Sequence, residues 1–360
     1  MAIVEEFGPG EMIRRLADPW WFQAFGCILG FDWHSSGLTT VTCGALKEAA
    51  KKHGNDLGIF VAGGKGAASR KTPQEIVTAA DRLSISGGDD LVHASRMSAK
   101  VDSAAVQDGY DLYHHAFFFT AEGAWCVVQQ GMQAEGPWAR RYHWLGEHVK
   151  DFVCEPHAAI QDLSTQTSIP QTRQLTLLNM VAQEAAPSRR ASVDLVRERP
   201  DWLLHELQKA TEGPTLFAPR RHPLLDLDVN VPRLRKIVTT VYEQHPADFA
   251  TLLGIAGVGP ATVRSLALLA EIIFKAPVSQ RDPAVGSRTV PGGSTRQRQW
   301  ADYAHAHGGK DGTPFPLDRS TYDRNISILH ESVRRAKLGD HERMEALERL
   351  SRWERSSPNL

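Results

Sequence analysis

The chain has 360 residues, 42% of them hydrophobic, with nine tryptophans. That is material for a sizeable core and, at roughly 150 residues per domain, for two or three domains. A formal net charge of −1 gives no global attraction to a polyanion, so any nucleic-acid surface has to be a local patch. No apolar run reaches the ~18 residues of a membrane span. The opening MAIVEEFGPGEM carries two glutamates and no signal-peptide core, and reads as though already inside a helix. The four cysteines, Cys27, Cys43, Cys126 and Cys154, form no CxxC pair, which argues against structural zinc and fits buried thiols in a cytoplasmic protein.

Residues 1–53 read as helical. Met12, Ile13 and Leu16, then Trp20, Trp21, Phe22 and Phe25 after Asp18-Pro19, lie at helical spacing. A glycine-punctuated block, Gly26–Gly37, separates them from a helix through Cys43, Leu46 and Ala49. Leu57–Ala62 reads as a short buried strand ending in Gly63-Gly64-Lys65-Gly66. Thr72-Pro73-Gln74-Glu75 supplies an N-cap, a first-turn proline and a capping-box glutamate. Leu91–His93 reads as a strand. His114–Thr120 and Ala124–Gln130 flank Ala121-Glu122-Gly123 as a β-hairpin. Both its faces are apolar, so it is expected as buried scaffold with His115 and Gln129 near each other across its open end.

A second aromatic cluster, Trp138–Trp144, follows, and 161–175 reads as a polar linker. Helices are expected at Leu175–Ala185, Ala191–Arg197, Pro200–Thr211 and Val231–Glu243. Residues 276–299 form a basic loop, with Arg281, Arg288, Arg296 and Arg298 against Asp282. Thr321–Arg355 reads as a solvated amphipathic helix. The expected fold is α+β. An N-terminal mixed α/β domain, 1–165, contains the buried hairpin, and a helical domain, 166–360, follows.

Within the helical part, Phe249–Ile273 places Gly257-Val258-Gly259 between two apolar helical patterns, with Pro260 opening the second. Two glycines allow a tight turn, and proline suits a first helical position. Free N–H groups and the positive end of the helix dipole can then hold a phosphate oxygen. The stretch resembles a helix-hairpin-helix motif, which implies sequence-independent binding of a nucleic-acid backbone through Gly257, Gly259, Thr262 and Arg264. An ordinary αα-hairpin is the plainer alternative.

The N-terminal part is dense in groups that active sites use. Lys65, Arg70 and Lys71 surround a Gly-rich turn that leads into a helix, a setting suited to phosphate, although the P-loop spacing is absent and no nucleotide-cofactor motif occurs. Asp32, His34, Lys100, Asp102, Asp108, His114, His115 and Gln129 form the expected catalytic set, with the lysines stabilising developing charge. Asp32, Asp108 and His115 are candidate ligands for a divalent metal, Mg or Mn, that would activate water. Arg140-Arg141-Tyr142-His143-Trp144 interleaves cations and aromatics and could stack on bases; aromatics in the core with arginines at the surface fit equally well.

GFDWHSSGLTT (Gly30–Thr40), SRKTP (Ser69–Pro73), SAKVD (Ser98–Asp102), AAVQDGYDLYHH (Ala104–His115), VVQQGM (Val127–Met132) and ARRYHWL (Ala139–Leu145) resemble the domain-of-unknown-function 763 family. The resemblance runs to about Asp323 and includes an AHGGKDGxPxPxDR segment at Ala306–Arg319. It implies little about activity. A second resemblance, to helix-hairpin-helix DNA glycosylases, would place a catalytic Asp at Pro316-Leu317-Asp318. Their lyase lysine falls at Ala261 here, which excludes imine chemistry at that residue. The expected function is a DNA-processing enzyme, a metal-dependent nuclease or repair phosphodiesterase acting on DNA without sequence preference. The alternatives are a non-catalytic nucleic-acid-binding protein, a glycosylase or lyase, and a small-phosphate enzyme using Gly63–Thr72.

Overall fold

The computed structural model describes residues 2–31, 36–133, 138–156, 177–211, 231–281, 283, 305–308, 319–335 and 339–356. Its elements in chain order begin with α1 (Ala2–Ala17), α2 (Pro19–Ile28), α3 (Gly37–Leu57), β1 (Ile59–Lys65), α4 (Thr72–Leu83) and α5 (Gly88–Lys100). The strands β2 (Val106–Gln107), β3 (Tyr110–Thr120), β4 (Trp125–Gln133), β5 (Trp138–Leu145) and β6 (Leu178–Asn179) follow. Then come α6 (Ala186–Arg197), α7 (Pro200–Thr211), α8 (Val231–Gln244), α9 (Phe249–Gly254) and α10 (Pro260–Phe274). The last elements are β7 (His305–Gly308), α11 (Arg319–Arg335) and α12 (Asp340–Ser356). The fold is α+β.

The chain packs as two compact units, and neither is contiguous. Residues 1–95, 111–148 and 302–360 form one, and 96–110 with 149–301 form the other. These are not the sequential halves 1–165 and 166–360. The segment 96–110 joins the second unit, and the C-terminal helices join the first.

The first unit is built on a five-stranded sheet of order β1-β3-β4-β5-β7. Strand β3 runs antiparallel to β1, with Lys65 opposite His114 and Gly63 opposite Ala116. Strands β3 and β4 are joined at Ala121–Ala124, where Thr120 N donates to Ala124 O (2.9 Å). Phe117, Phe118 and Phe119 on β3 and Cys126, Val127 and Val128 on β4 are all fully buried. At about 25 cal/mol per Å² of apolar surface this hairpin is a main source of core stability, as its two apolar faces require. Gly63 is obligatory where β1 meets β3: its φ is +88°, and a Cβ there would lie 2.2 Å from His115 O and 2.5 Å from Thr72 Oγ1.

Four local expectations give way to tertiary or side-chain competition. Leu91–His93 lies inside α5, started by Asp89 and Asp90 in its first turn. Leu178–Asn179 is strand β6, and no helix covers Leu177–Ala182. There Asn179 Oδ1 accepts from Val181 N and Ala182 N (both 3.0 Å), replacing the helical carbonyl. The capping box at Thr72 is not made either: Glu75 Oε2 accepts from Gly63 N (2.8 Å) and Lys47 Nζ (2.6 Å), so it clamps the end of β1. Helix α11, expected to be solvated, packs against α1 and α2 and buries Ile326, Leu329 and Val333.

The second unit gathers α6–α10 around Leu195, Val196, Leu203, Val238, Val241, Leu253 and Leu266. A π-helical turn, Val101–Ala105, leads from α5 to β2, which pairs antiparallel with β6.

Candidate nucleic-acid interface

Helix α9 starts at Asp248, whose carboxylate accepts from Thr251 N and Thr251 Oγ1 (both 2.8 Å). Those bonds hold its pKa below the usual aspartate value. Six residues later the helix ends and Val258 N donates to Ile255 O (3.2 Å), closing a tight turn. Gly257 sits at φ +92°, a left-handed conformation that glycine adopts without a Cβ penalty. Val258 is buried, 1% exposed, and anchors the turn between the helices. Gly259 caps α10 in an extended conformation and Pro260 occupies its first turn, as proline's fixed φ and missing N–H favour. Ala256, Gly257, Pro260 and Ala261 are exposed. The Ala261 and Thr262 N–H groups stand in the first turn of α10, where a helix supplies no acceptors.

Two side chains from the α5–β2 segment fix this turn from behind. Lys100 Nζ donates to Val258 O and to Ile255 O (3.3 Å). Gln107 Nε2 donates to Pro260 O and Ala104 O (both 2.9 Å), and its Oε1 accepts from Arg264 Nε (3.0 Å). Lys100 is half-buried, and burial lowers its pKa from the usual lysine value. Among the described residues no carboxylate pairs with it. On the other side, Ile237 of α8 lies against Gly257. The exposed Lys236 precedes it, and Arg233, also exposed, is one turn back on the same helix.

The first unit brings together a second set. Lys65, Arg70 and Lys71 are all exposed along the β1–α4 connection. Behind them His115 Nδ1 contacts Gln129 Oε1 (2.8 Å) and its Nε2 contacts Ser95 Oγ (2.9 Å). An amide oxygen only accepts, so Nδ1 carries the hydrogen and Nε2 receives the serine hydroxyl. Burial pushes the His115 pKa down to about 4, against the opposing effect of the Gln129 bond. His114, opposite Lys65, is 1% exposed and neither ring nitrogen has a partner among the described residues. Burial, then the charges of His115 and Lys65, push it down to about 3.

The expected site residues are thus distributed. His114, His115 and Gln129 share the first unit with Lys65, Arg70 and Lys71, whereas Lys100, Asp102, Asp108, Gly257, Gly259, Thr262 and Arg264 belong to the second. Asp32 and His34 lie outside the described residues, as do most of the basic loop, the linker and Pro316–Asp318. Lys100 holds turn carbonyls, Asp102 is buried in the π-helical turn, and Asp108 Oδ1 accepts from Tyr110 N (3.2 Å). Thr262 is buried, 3% exposed, so its contribution at the surface is its backbone amide.

The Arg140–Trp144 patch is interior. Arg140 and Arg141 are 2% and 1% exposed, and Arg141 donates to Gln23 Oε1 (2.9 Å), Thr39 Oγ1 (3.4 Å) and Pro19 O (3.2 Å). Alternation points these consecutive arginines to opposite faces of β5, and both are buried because residues 139–145 are covered on either face. His115 does not fit the expected metal ligand set, because both its nitrogens are engaged. Among the described residues no group of three His, Cys, Asp or Glu side chains could hold a metal ion. Two residues that local sequence pattern does not single out, Ser95 and Gln107, matter here. Besides Ala104 O, Gln107 bonds Pro260 O and Arg264, both more than 150 residues away.

These features define an α+β protein with a helix-covered antiparallel sheet and a helical unit whose α9–α10 turn faces solvent. The chain belongs to the family described as protein of unknown function DUF763, whose model matches residues 1–317. No curated protein and no solved structure matches it.

Proposed function

We propose that this protein holds nucleic acid, DNA in the first place, by its sugar-phosphate backbone, with α9, the turn and α10 acting as a helix-hairpin-helix. The observation that carries the reading is the turn itself. Gly257 is exposed at positive φ, and α10 opens with Pro260 and exposed first-turn positions. Carbonyls of the same turn bond inward to Lys100. Such a turn offers donors and a helix dipole to a phosphate oxygen. Lys236, Arg233 and Arg264 supply local positive charge in a chain that is neutral overall. Contacts of this kind position a strand and read no base edges. Lys65, Arg70 and Lys71 form a second exposed basic group in the first unit.

Fluorescence anisotropy with labelled single-stranded, duplex, branched and abasic DNA tests it. Binding should weaken linearly in log Kd against log salt, by about 0.9 for each phosphate contacted on duplex. Affinity that ignores salt, or no binding at low salt, would sink the reading.

A second reading, hydrolysis of the held phosphodiester with Mg or Mn, rests on a different observation. Lys65, Arg70 and Lys71 stand exposed along one connection of the first unit, the ingredients of a phosphate seat that stabilises developing charge. The same DNA incubated with Mg²⁺, Mn²⁺ or EDTA decides it: metal-dependent nicking supports cleavage, and intact DNA in every tube leaves a binding protein. With Ala261 at the lyase position, borohydride trapping on abasic DNA should give no adduct through that residue.

A further inference from the structure

We infer that Lys100 is a positioning residue of the phosphate seat: its ammonium draws the Ile255 and Val258 carbonyls inward, so that the turn's amides point outward above a positive charge. The inference rests on the backbone-binding reading and deepens it. Three observations support it. Lys100 reaches the turn across 155 and 158 residues of sequence, and both of its bonds go to turn carbonyls. It is half-buried without a carboxylate among the described residues, an arrangement that costs desolvation and leaves the charge uncompensated. A phosphate oxygen at the turn would supply the missing negative charge. Gln107 makes the neighbouring tie, to Pro260 O and to Arg264, so one segment, 100–107, fixes both the turn and the start of α10.

A peptide unit turns as a plane, which is why a cation on the carbonyl side orients the amide side. Lys100 thus acts in two ways, through hydrogen bonds that set the backbone and through charge. Substitutions separate them. Lys100→Arg keeps donors and charge, Lys100→Gln keeps a donor and removes the charge, and Lys100→Met removes both.

The experiment uses the full chain and a labelled DNA duplex. Lys100→Gln should weaken binding about tenfold and lower the salt slope by about one, and Lys100→Arg should keep the wild-type slope. In the free protein, the Ala256 and Gly259 amide resonances of Lys100→Met should shift and exchange faster, with resonances of the first unit unmoved. If Lys100→Met does not fold, Lys100→Gln and Gln107→Leu carry the same two readouts. Wild-type affinity and slope in Lys100→Gln together with unmoved Ala256 and Gly259 amides would overturn the inference. Absence of DNA binding by the wild-type protein sinks the backbone-binding reading instead, and the amide shifts still decide whether Lys100 sets the turn.

Discussion

His114 and His115 are neighbours in sequence with opposite bonding. Among the described residues His115 is bonded at both nitrogens and His114 at neither. Both are buried and both resist protonation, His114 to about pH 3 and His115 to about pH 4. The unfolded chain takes up these protons near the ordinary value of 6.5, so it binds more protons than the folded state between those limits. Stability is therefore complete above about pH 6.5 and falls as pH drops towards 4, by at most about 1.4 kcal/mol per pH unit for each ring. His114→Phe removes two buried nitrogens that lack partners. Its urea midpoint at pH 7 should equal or exceed the wild-type value, and the decline between pH 6.5 and 4 should be shallower by about one ring's share. An unchanged pH profile would show that His114 does not report on this burial.

Arg141 and Lys71 make a second contrast at this scale. Arg141 is 1% exposed and donates to the interior groups Gln23 Oε1, Thr39 Oγ1 and Pro19 O. Arg141→Met should cost about 2 to 3 kcal/mol of stability in urea unfolding and leave DNA affinity within about twofold. Lys71→Gln, at an exposed position, should do the reverse, leaving stability alone and lowering the salt slope by about one. The sequence shows two cations in each place. It does not show which side of a strand faces water.

Between elements, the α9–α10 turn is the feature most legible in sequence. Gly-Val-Gly-Pro specifies backbone geometry locally, through φ at Gly257 and the proline at the head of α10. Gly257→Ala should be strained by about 1 to 2 kcal/mol, because its Cβ also meets Ile237 Cγ1 at 3.2 Å. DNA affinity should drop about tenfold while α10 remains folded, as read by anisotropy and circular dichroism; unchanged affinity would separate the turn from binding. The β3–β4 hairpin was equally legible, since alternation and a Gly turn are local signals. Leu91–His93 and Leu177–Ala182 were not. A three-residue apolar run fits either period, and Asn179 diverts its own segment with side-chain bonds that no propensity records.

Across the whole molecule, the connectivity is interleaved. Residues 96–110 leave the first unit to join the second, and α11 returns to cover α1 and α2. A chain cut at 165 therefore strands 96–110 with the wrong fragment and removes α11 from its partners. Fragments 1–165 and 166–360 expressed separately should lack cooperative thermal unfolding. Deleting 319–360 should expose the apolar surface that Ile326, Leu329 and Val333 cover, and hydrogen exchange should rise in α1 and α2. Two independently cooperative fragments would refute the interleaved packing.

By itself the sequence determined the α+β class, the buried hairpin and the conformation of the glycine turn, because each is encoded within a dozen neighbouring residues by periodicity, β-branching and the φ preferences of Gly and Pro. Only the tertiary structure decided what the charged residues do. It turned Arg141 inward, locked His115 between Ser95 and Gln129, and sent Lys100 to the carbonyls of a turn some 155 residues further along. The role of a charge depends on the partners and solvent around it, and those come from parts of the chain that local pattern does not connect.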